Sequence, residues 1–98
     1  MRTFVYILRC SDGSYYVGST RGEDVERRLS EHQQGLHAGY TAARLPVALV
    51  WSGEFERITD AIVFERQLKG WSRAKKEAVI KGEWERLPGL ASRPRRKP

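Results

Sequence analysis

The hydrophobic and polar positions of this chain form two kinds of pattern, short apolar runs and longer stretches with helical spacing. Residues 4–8 are apolar at every position, which predicts a strand buried on both faces and central in a sheet. A turn signal at 11–14 and a run rich in tyrosine and β-branched residues over 15–20 predict a hairpin with that strand. A third strand is predicted over 46–51, with its proline at the start, where no ladder donor is needed.

Helical spacing dominates the remaining chain up to residue 82. The pattern predicts helices over about 24–34, 59–69 and 72–81, and a glycine that can end each helix follows. The candidate N-caps are Asp24 or a neighbour, Thr59 and Ser72. The order β-β-α-β-α-α predicts an α+β domain around a small sheet of mostly antiparallel pairs.

Length and composition narrow the class of protein. Ninety-eight residues suit one domain with a modest core, and 40% hydrophobic with 31% charged residues is typical of a globular chain. We expect the domain to span 1–82, followed by a C-terminal extension over 83–98 whose basic tail after Ser92 is flexible. The single cysteine, Cys10, excludes an internal disulfide framework and a cysteine-rich zinc site. The first apolar run is too short for a secretory or membrane segment, so we expect a soluble cytoplasmic protein.

Positive charge is concentrated in two segments. The chain has 18 basic and 12 acidic residues, and four of the positive charges lie in the tail 93–98. A second cluster, 66–81, holds six basic residues and one acidic residue. A basic face with a basic tail suits a polyanion such as nucleic acid, although a solvated helix face and a disordered end would give the same pattern.

Two polar residues of the first helix lie beside its apolar stripe. With about 100° of rotation per residue, Val25, Leu29 and Leu36 form that stripe. Arg28 and His32, four residues apart, lie side by side at its edge. They are either an arginine and a histidine at the rim of the core or part of a functional site.

Glu65 interrupts the apolar face of the second helix. It falls between Ala61 and Ile62 on the helical projection, within the sector that Phe64 and Leu68 define. An ionised carboxylate there needs a partner. It is either half of a structural ion pair, for example with Arg28, or a metal ligand or general base.

The faces on which Tyr6 and Tyr16 lie depend on the type of turn in the hairpin. A two-residue turn puts the two tyrosines on opposite faces. A three-residue loop, with Gly13 in the left-handed conformation, pairs Tyr16 with Leu8 and puts both tyrosines on one face. Each tyrosine is otherwise interpreted as a core aromatic with its hydroxyl at the rim.

Several motifs in order carry a family resemblance over about residues 3–82. The chain resembles the GIY-YIG nuclease domain through Val5-Tyr6-Ile7, Tyr16-Val17-Gly18-Ser19-Thr20, and Glu26-Arg27-Arg28-Leu29 with His32. It looks like the small stand-alone bacterial members through Tyr40-Thr41, Pro46-Val47, Glu65-Arg66-Gln67-Leu68-Lys69 and Trp71-Ser72-Arg73-Ala74-Lys75-Lys76-Glu77. Those members are relatives of the N-terminal nuclease domain of the repair excinuclease and of the Slx-type endonucleases.

The resemblance implies a three-stranded antiparallel sheet flanked by helices, and metal-dependent hydrolysis of a DNA phosphodiester. Carried over, Tyr6 and Tyr16 match the tyrosines of the two motifs, and Arg28 matches the active-site arginine. His32 matches a position that is His or Tyr in relatives, and Glu65 matches the metal-binding carboxylate. The chain departs from the pattern with Phe4 and Val5 in the first motif. It also contains no asparagine, which some members use in the active site.

The implied chemistry gives each of these residues a role. A single Mg²⁺ or Mn²⁺ ion would be held by Glu65, and Arg28 would hold a non-bridging phosphate oxygen. Tyr6 assisted by His32 is our first choice for passing a proton from the attacking water, with Tyr16 orienting water or phosphate. The products would be a 5′-phosphate and a 3′-hydroxyl. The expected DNA contacts are Tyr40, Thr41, Arg44, Lys69, Arg73, Lys75 and Lys76.

The function predicted from these residues is a structure-selective DNA endonuclease in repair or recombination, acting on branched or damaged DNA at the nucleoid. Two alternatives use the same fold. One is a non-catalytic nucleic-acid-binding module, favoured by the basic segments and the missing asparagine. The other is an interaction module whose protein partner supplies the choice of substrate.

Overall fold

The structure is a computed structural model of the 98-residue chain, and it describes residues 2–21, 25–36, 39–87 and 95–96. Its longer elements follow the predicted order β-β-α-β-α-α. The strands are β1 (Thr3–Arg9), β2 (Tyr15–Arg21) and β3 (Ala48–Phe55), and the helices are α1 (Val25–Gln33), α2 (Ile58–Gly70) and α3 (Arg73–Lys81). The predicted α+β class and three-stranded antiparallel sheet are confirmed.

Strand β1 is central because its residues are apolar on both faces. It pairs antiparallel with β2 on one side and with β3 on the other, and Thr3 to Leu8 are all buried. This leaves β2 at one edge of the sheet. The third strand begins two residues later than predicted and runs on to Phe55, with a bulge opposite Ile7 and Leu8.

The hairpin uses the three-residue loop, so the two tyrosines share a face. Tyr16 pairs with Leu8, Tyr6 pairs with Gly18, and Gly13 has φ +83°. A glycine at this left-handed position closes a three-residue hairpin without steric cost. The alternative two-residue register is thereby excluded.

The two faces of the sheet carry separate apolar clusters. Val5 and Ile7 pack with Phe64 and Leu68 of α2 on one face. Tyr6 and Leu8 pack on the other face with a cluster that includes Leu29 of α1. Because successive side chains of a strand alternate, one strand supports both layers, and the helices are held on opposite sides of β1 and β2.

The ends of the helices follow the sequence signals only in part. Ser72 accepts a hydrogen bond from the Lys75 amide, and Gly82 ends α3 with φ +76°, as predicted. The expected cap Thr59 instead lies inside α2, which begins at Ile58 and includes Gly70. Packing of Phe64 and Leu68 against the sheet fixes this helix, so its first turn does not depend on a side-chain cap.

Leu36 differs from its predicted role, and the chain after α3 packs back on the domain. Leu36, assigned to the apolar stripe of the first helix, follows the end of α1 and is 66% exposed. The segment after α3 packs back through Trp84, whose ring lies 6.2 Å from that of Trp51, and through buried Leu87.

The C-terminal tail contributes one short element. Arg95 and Arg96 form a two-residue strand, β4, against Glu54 and Gly53 of β3. Apart from Arg95 and Arg96, the tail residues that we expected to be flexible lie outside the described residues. The division into 1–82 and 83–98 therefore stays a prediction. Within the described ranges, no helix has the length and apolar character needed to cross a bilayer.

Candidate active site

The hydroxyl of Tyr6 lies directly over Gly18 of the edge strand. A Cβ atom added to Gly18 would stand 2.6 Å from this hydroxyl oxygen, closer than real Cβ contacts allow. The glycine is therefore required by the close approach of the tyrosine, a known reason for glycine inside a strand. As a result, a residue of the central strand places its polar atom at the edge of the sheet.

Tyr6 is the first member of a buried chain of hydrogen bonds. Its hydroxyl lies 3.0 Å from Nε2 of His32, and Nδ1 of His32 lies 2.8 Å from Oγ1 of Thr41. His32 is only 1% exposed and Thr41 2%. If Tyr6 donates to Nε2, then Nδ1–H donates to Thr41, and the reverse polarity is equally compatible with the distances. The chain can thus carry a proton between Tyr6 and the imidazole.

The surroundings of Tyr6 favour its neutral form. Burial raises the pKa of its hydroxyl well above the ordinary value, and Tyr16 adds to that rise, whereas Arg28 opposes it. Glu65 also raises this pKa. The guanidinium and the carboxylate therefore act on the hydroxyl electrostatically, although they come from different helices. As a general base, Tyr6 would have to pass on its own proton as it accepts another.

Tyr16 and Tyr40 extend this site toward solvent. The ring of Tyr16 lies 5.2 Å from that of His32 and 6.3 Å from that of Tyr40, tilted 27° from the plane of Tyr40. The guanidinium of Arg44 lies 3.8 Å from the centre of the Tyr40 ring and also donates to the Tyr40 carbonyl. Asp12 of the hairpin loop holds Arg44 through a 3.1 Å ion pair. The loop around Tyr40 is thereby fastened to the hairpin.

Glu65 approaches the same edge strand from the opposite face of the sheet. Its carboxylate accepts a 2.9 Å hydrogen bond from Ser19, the neighbour of Gly18, and forms a 3.0 Å ion pair with Lys69. Lys69 thus provides the ion pair that the structural interpretation of Glu65 required. The Glu65 side chain is 17% exposed and that of Lys69 55%, so water and ligands reach the pair.

Arg28 contacts the same edge strand at Thr20, the residue after Ser19. It donates to Thr20 at 3.5 Å and faces Glu31 at 3.8 Å. Arg28 and Arg27 line a cleft of about 420 Å³ whose other described lining residues include Ser19, Thr20, Ile58 and Ile62. The cleft is open to an anion from solvent, with two guanidinium groups to receive it.

The donor set fits one weakly held hard cation. The described part of the chain contains no group of three His, Cys, Asp or Glu side chains that could hold an ion by themselves. Glu65 supplies one carboxylate, and magnesium commonly uses one or two carboxylates together with water and phosphate oxygens. The Lys69 ammonium occupies this carboxylate, so it would have to move before a cation is bound.

The residues expected to contact DNA fall into four groups. Tyr40, Lys69 and Lys76 line a groove of about 240 Å³ together with Tyr15, Tyr16 and Val17. Arg44 and Arg73 are held by protein groups: Arg73 donates to the Gly13 carbonyl at 2.7 Å and pairs with Glu77 at 3.2 Å. Lys75 is exposed, near the ring of Trp71. Thr41 is buried against His32, which suits positioning of the histidine and not contact with a ligand.

Three further residues shape the site without having been identified from the sequence as candidates. Gly18 admits Tyr6, Ser19 bonds Glu65, and Gln33 fastens the end of α1 by accepting from the Val47 amide and donating to the Val47 carbonyl. A glycine inside a β-rich run is itself a signal of close approach. No local pattern marks Ser19 or Gln33, because their partners are distant in sequence.

Comparison with known proteins places the chain in a family. The model of the GIY-YIG catalytic domain matches residues 2–78. A UPF0213 protein of Halobacterium salinarum is 45% identical over 76 residues, which are 78% of this chain and 96% of that protein. A UPF0213 protein of Streptococcus pneumoniae is 42% identical over 79 residues, which are 81% of this chain and 78% of that protein.

Two solution NMR structures agree with the fold. The UPF0213 protein from Bacillus halodurans is 38% identical, with a TM-score of 0.54 over 95% of this chain and all of the other. A protein from E. faecalis is 37% identical, with a TM-score of 0.58 over 85% of this chain and 86% of the other. The family match spans the strands and helices that carry Tyr6, Arg28, His32 and Glu65. The chain is therefore a small member of the GIY-YIG catalytic domain family.

Proposed function

We propose that this protein is a metal-dependent DNA endonuclease that hydrolyses phosphodiester bonds. The observation that carries the proposal is the buried chain from Tyr6 through His32 to Thr41, with Tyr6 at the strand edge that Glu65 approaches. Hydrolysis of a phosphodiester requires a positioned water, a route for its proton and positive charge near the phosphate. Membership in a family of nuclease domains supports the same conclusion.

The proton route runs through Tyr6. As water attacks phosphorus, the Tyr6 oxygen accepts a proton from the water and donates its own proton to Nε2 of His32. The raised pKa of Tyr6 makes a free tyrosinate costly, so the two transfers are best coupled. In this route Thr41 would accept from Nδ1–H, which selects the tautomer in which Nε2 accepts from Tyr6. Tyr16, whose ring is tilted against that of His32, orients the water or the phosphate.

Positive charge comes from the protein and from a divalent ion. Arg28 donates to a non-bridging oxygen of the phosphate in the cleft along β2 and offsets the charge that develops in the transition state. Glu65 would hold Mg²⁺ or Mn²⁺, and the ion would supply Lewis-acid stabilisation of the phosphate charge. Lys69 leaves Glu65 when a phosphate group attracts it. The bond from phosphorus to the 3′-oxygen breaks and this oxygen takes a proton from solvent, so the expected products are a 5′-phosphate and a 3′-hydroxyl.

The proposed substrate is DNA recognised by shape. Most of the basic side chains around the site suit phosphates, so we propose selection of branched or damaged forms in repair or recombination, at the nucleoid in the cytoplasm. A protein partner that presents such DNA is part of the proposal, because a chain of 98 residues offers little surface for specificity.

The second candidate is a nucleic-acid-binding module that binds DNA without cleaving it. It is favoured by the ion pair that occupies Glu65 and by the absence of asparagine from the chain. Such a module predicts DNA binding that is unchanged or stronger after Glu65→Gln, because a negative charge near the phosphates is removed.

One experiment separates the two candidates. Single-stranded, duplex, flap and branched DNA are incubated with Mg²⁺ or Mn²⁺ and with wild type, Glu65→Gln or Glu85→Gln. Glu85 is an exposed carboxylate on the short helical turn after α3, so its variant controls for contaminating nuclease and for net charge. Cleavage that disappears only in Glu65→Gln supports the endonuclease. Binding without cleavage in all three proteins contradicts it.

A further inference from the structure

The groove lined by Tyr15, Tyr16, Val17, Tyr40, Lys69 and Lys76, here called the tyrosine groove, has features that the hydrolytic chemistry does not use. Its walls are mainly the rings of tyrosines on β2 and on the loop before β3, and two ammonium groups lie at its border. Its volume of about 240 Å³ lies below the range of roughly 300–1,000 Å³ typical of sites for drug-sized molecules. A small, flat and aromatic group attached to negative charge would suit it.

Tyr40 is held in place although its ring is open to solvent. The ring is 40% exposed, yet Arg44 covers one part of it at 3.8 Å and the Arg44 guanidinium is fixed by Asp12 and by the Tyr40 carbonyl. Tyr16 faces it at 6.3 Å with nearly parallel planes. Tyr16 is half-buried and Tyr40 is exposed, so this ordered pair has lost side-chain entropy while part of its aromatic surface still faces solvent. Binding of a planar ligand would bury that surface with little further ordering.

The position of the groove next to the candidate active site indicates which kind of ligand it binds. The Tyr16 ring also lies 5.2 Å from the ring of His32, and Lys69 also pairs with Glu65, so two residues of the groove contact the two halves of the candidate active site. A base bound in the groove would belong to a nucleotide next to a phosphate at Arg28 and Glu65. In duplex DNA the faces of the bases are covered by their neighbours, whereas an unpaired nucleotide offers its π-face for stacking on tyrosine.

We propose that the tyrosine groove binds one unpaired nucleobase of DNA, stacked on Tyr40 and Tyr16, with Lys69 and Lys76 at the flanking phosphates. The proposal rests on the endonuclease function and narrows its substrate to DNA with a single-stranded segment next to the scissile phosphate. Stacking gives no sequence code, so the groove selects the unpaired state of the base and not its identity.

The test compares binding with and without the base, in EDTA so that no cleavage is required. Wild type, Tyr40→Ala and Tyr40→Phe are titrated with a short single-stranded oligodeoxynucleotide, with its abasic analogue, which keeps the phosphates, and with a blunt duplex. Base–aromatic stacking is worth about 1–3 kcal/mol, which corresponds to a loss of about 5- to 140-fold in affinity for Tyr40→Ala on single strands. Tyr40→Phe, which keeps the ring, should retain most of the affinity.

Two further results complete the prediction. Tyr40→Ala and wild type should bind abasic DNA equally and duplex DNA equally. A 2-aminopurine base in the single strand should change its fluorescence on binding to wild type and Tyr40→Phe, but much less on binding to Tyr40→Ala.

A similar loss of affinity in Tyr40→Ala for duplex, abasic and single-stranded DNA would overturn the proposal, because it would mean that Tyr40 acts through the fold or through the DNA backbone. Tighter binding of a single-stranded RNA of the same sequence would also overturn it.

The outcome is independent of the endonuclease test. If DNA is cleaved in a Glu65-dependent manner while abasic and normal strands bind alike, the groove proposal fails and the enzyme stands. If no DNA is cleaved while Tyr40→Ala loses affinity only for single strands with bases, the groove stands and the endonuclease fails.

Discussion

The two faces of the sheet reach the edge strand β2 with opposite kinds of chemistry. On the face of α1, the hydroxyls of Tyr6 and Thr41 and the imidazole of His32 form a buried chain of hydrogen bonds. On the face of α2, Glu65 and Lys69 form a charged pair that water reaches. The first group has its geometry fixed by packing, whereas the second can exchange partners. In the proposed endonuclease, the α1 face would hold the proton route ready, and the α2 face would leave the ion site to be completed when DNA and metal arrive.

The buried face should give the largest effect on catalysis when its reacting hydroxyl is removed. Tyr6→Phe keeps the ring in the core but deletes the atom bonded to His32, so cleavage should fall by about 10²- to 10⁴-fold, as for loss of a positioned proton-transfer group. Affinity for DNA in EDTA should change little, because the hydroxyl is buried. Single-turnover cleavage and binding measured on the same DNA check both statements. A rate within about threefold of wild type, or roughly 0.7 kcal/mol, would remove Tyr6 from the proton route because the effect is too small for such a group.

The packing of the same face can be broken at Gly18. Gly18→Ala forces the buried Tyr6 ring to move, because the new Cβ would stand 2.6 Å from its hydroxyl. We expect a loss of about 1–3 kcal/mol in the free energy of unfolding, as for other overpacked cores. Urea unfolding monitored by circular dichroism measures this loss.

The matched control for that substitution is Gly70→Ala. Gly70 closes α2, and a Cβ there meets nothing within 4 Å, so alanine should be neutral or stabilising by up to about 1 kcal/mol. Equal effects of the two substitutions would contradict the role assigned to the approach of Tyr6 over Gly18.

The sequence predicted contacts between residues that are close in the chain better than contacts between distant residues. The α1 side was largely predictable: the loop around Gly13 and the i, i+4 spacing of Arg28 and His32 are local, and they place Tyr6, Tyr16 and His32 together. The bond between His32 and Thr41 was not predictable, because it joins a helix to an irregular loop. Thr41 therefore looked like a residue that contacts DNA.

On the α2 side, the sequence identified Glu65 as an anomalous carboxylate but not its partners. Ser19 is 46 residues away, and only the packed sheet brings it to Glu65. Lys69 is four residues away on the same helix and was predictable as an ion-pair partner, although we assigned it to DNA. The start of α2 was wrong by one residue because burial of Phe64, and not a cap at Thr59, determines where that helix lies.

Substitution of Lys69 on the exposed face should give the smallest effect. It tests directly whether the ammonium and a metal ion exchange at Glu65. Lys69→Gln removes the ammonium that competes with a cation for Glu65, so DNA-free protein should bind Mn²⁺ more tightly. Exposed ion pairs are worth about 0.2–1 kcal/mol, which predicts a gain of about 1.5- to 5-fold. Electron paramagnetic resonance of free Mn²⁺ measures the affinity, and Lys81→Gln at the exposed end of α3 controls for net charge.

Lys69→Gln should also weaken DNA binding and lower the salt slope by about 0.9, the value for one lost phosphate contact. Weaker Mn²⁺ binding, or the same gain in Lys81→Gln, would show that Lys69 does not exchange with the ion. The two halves of the site would then be equally fixed, and the contrast between the faces would not hold.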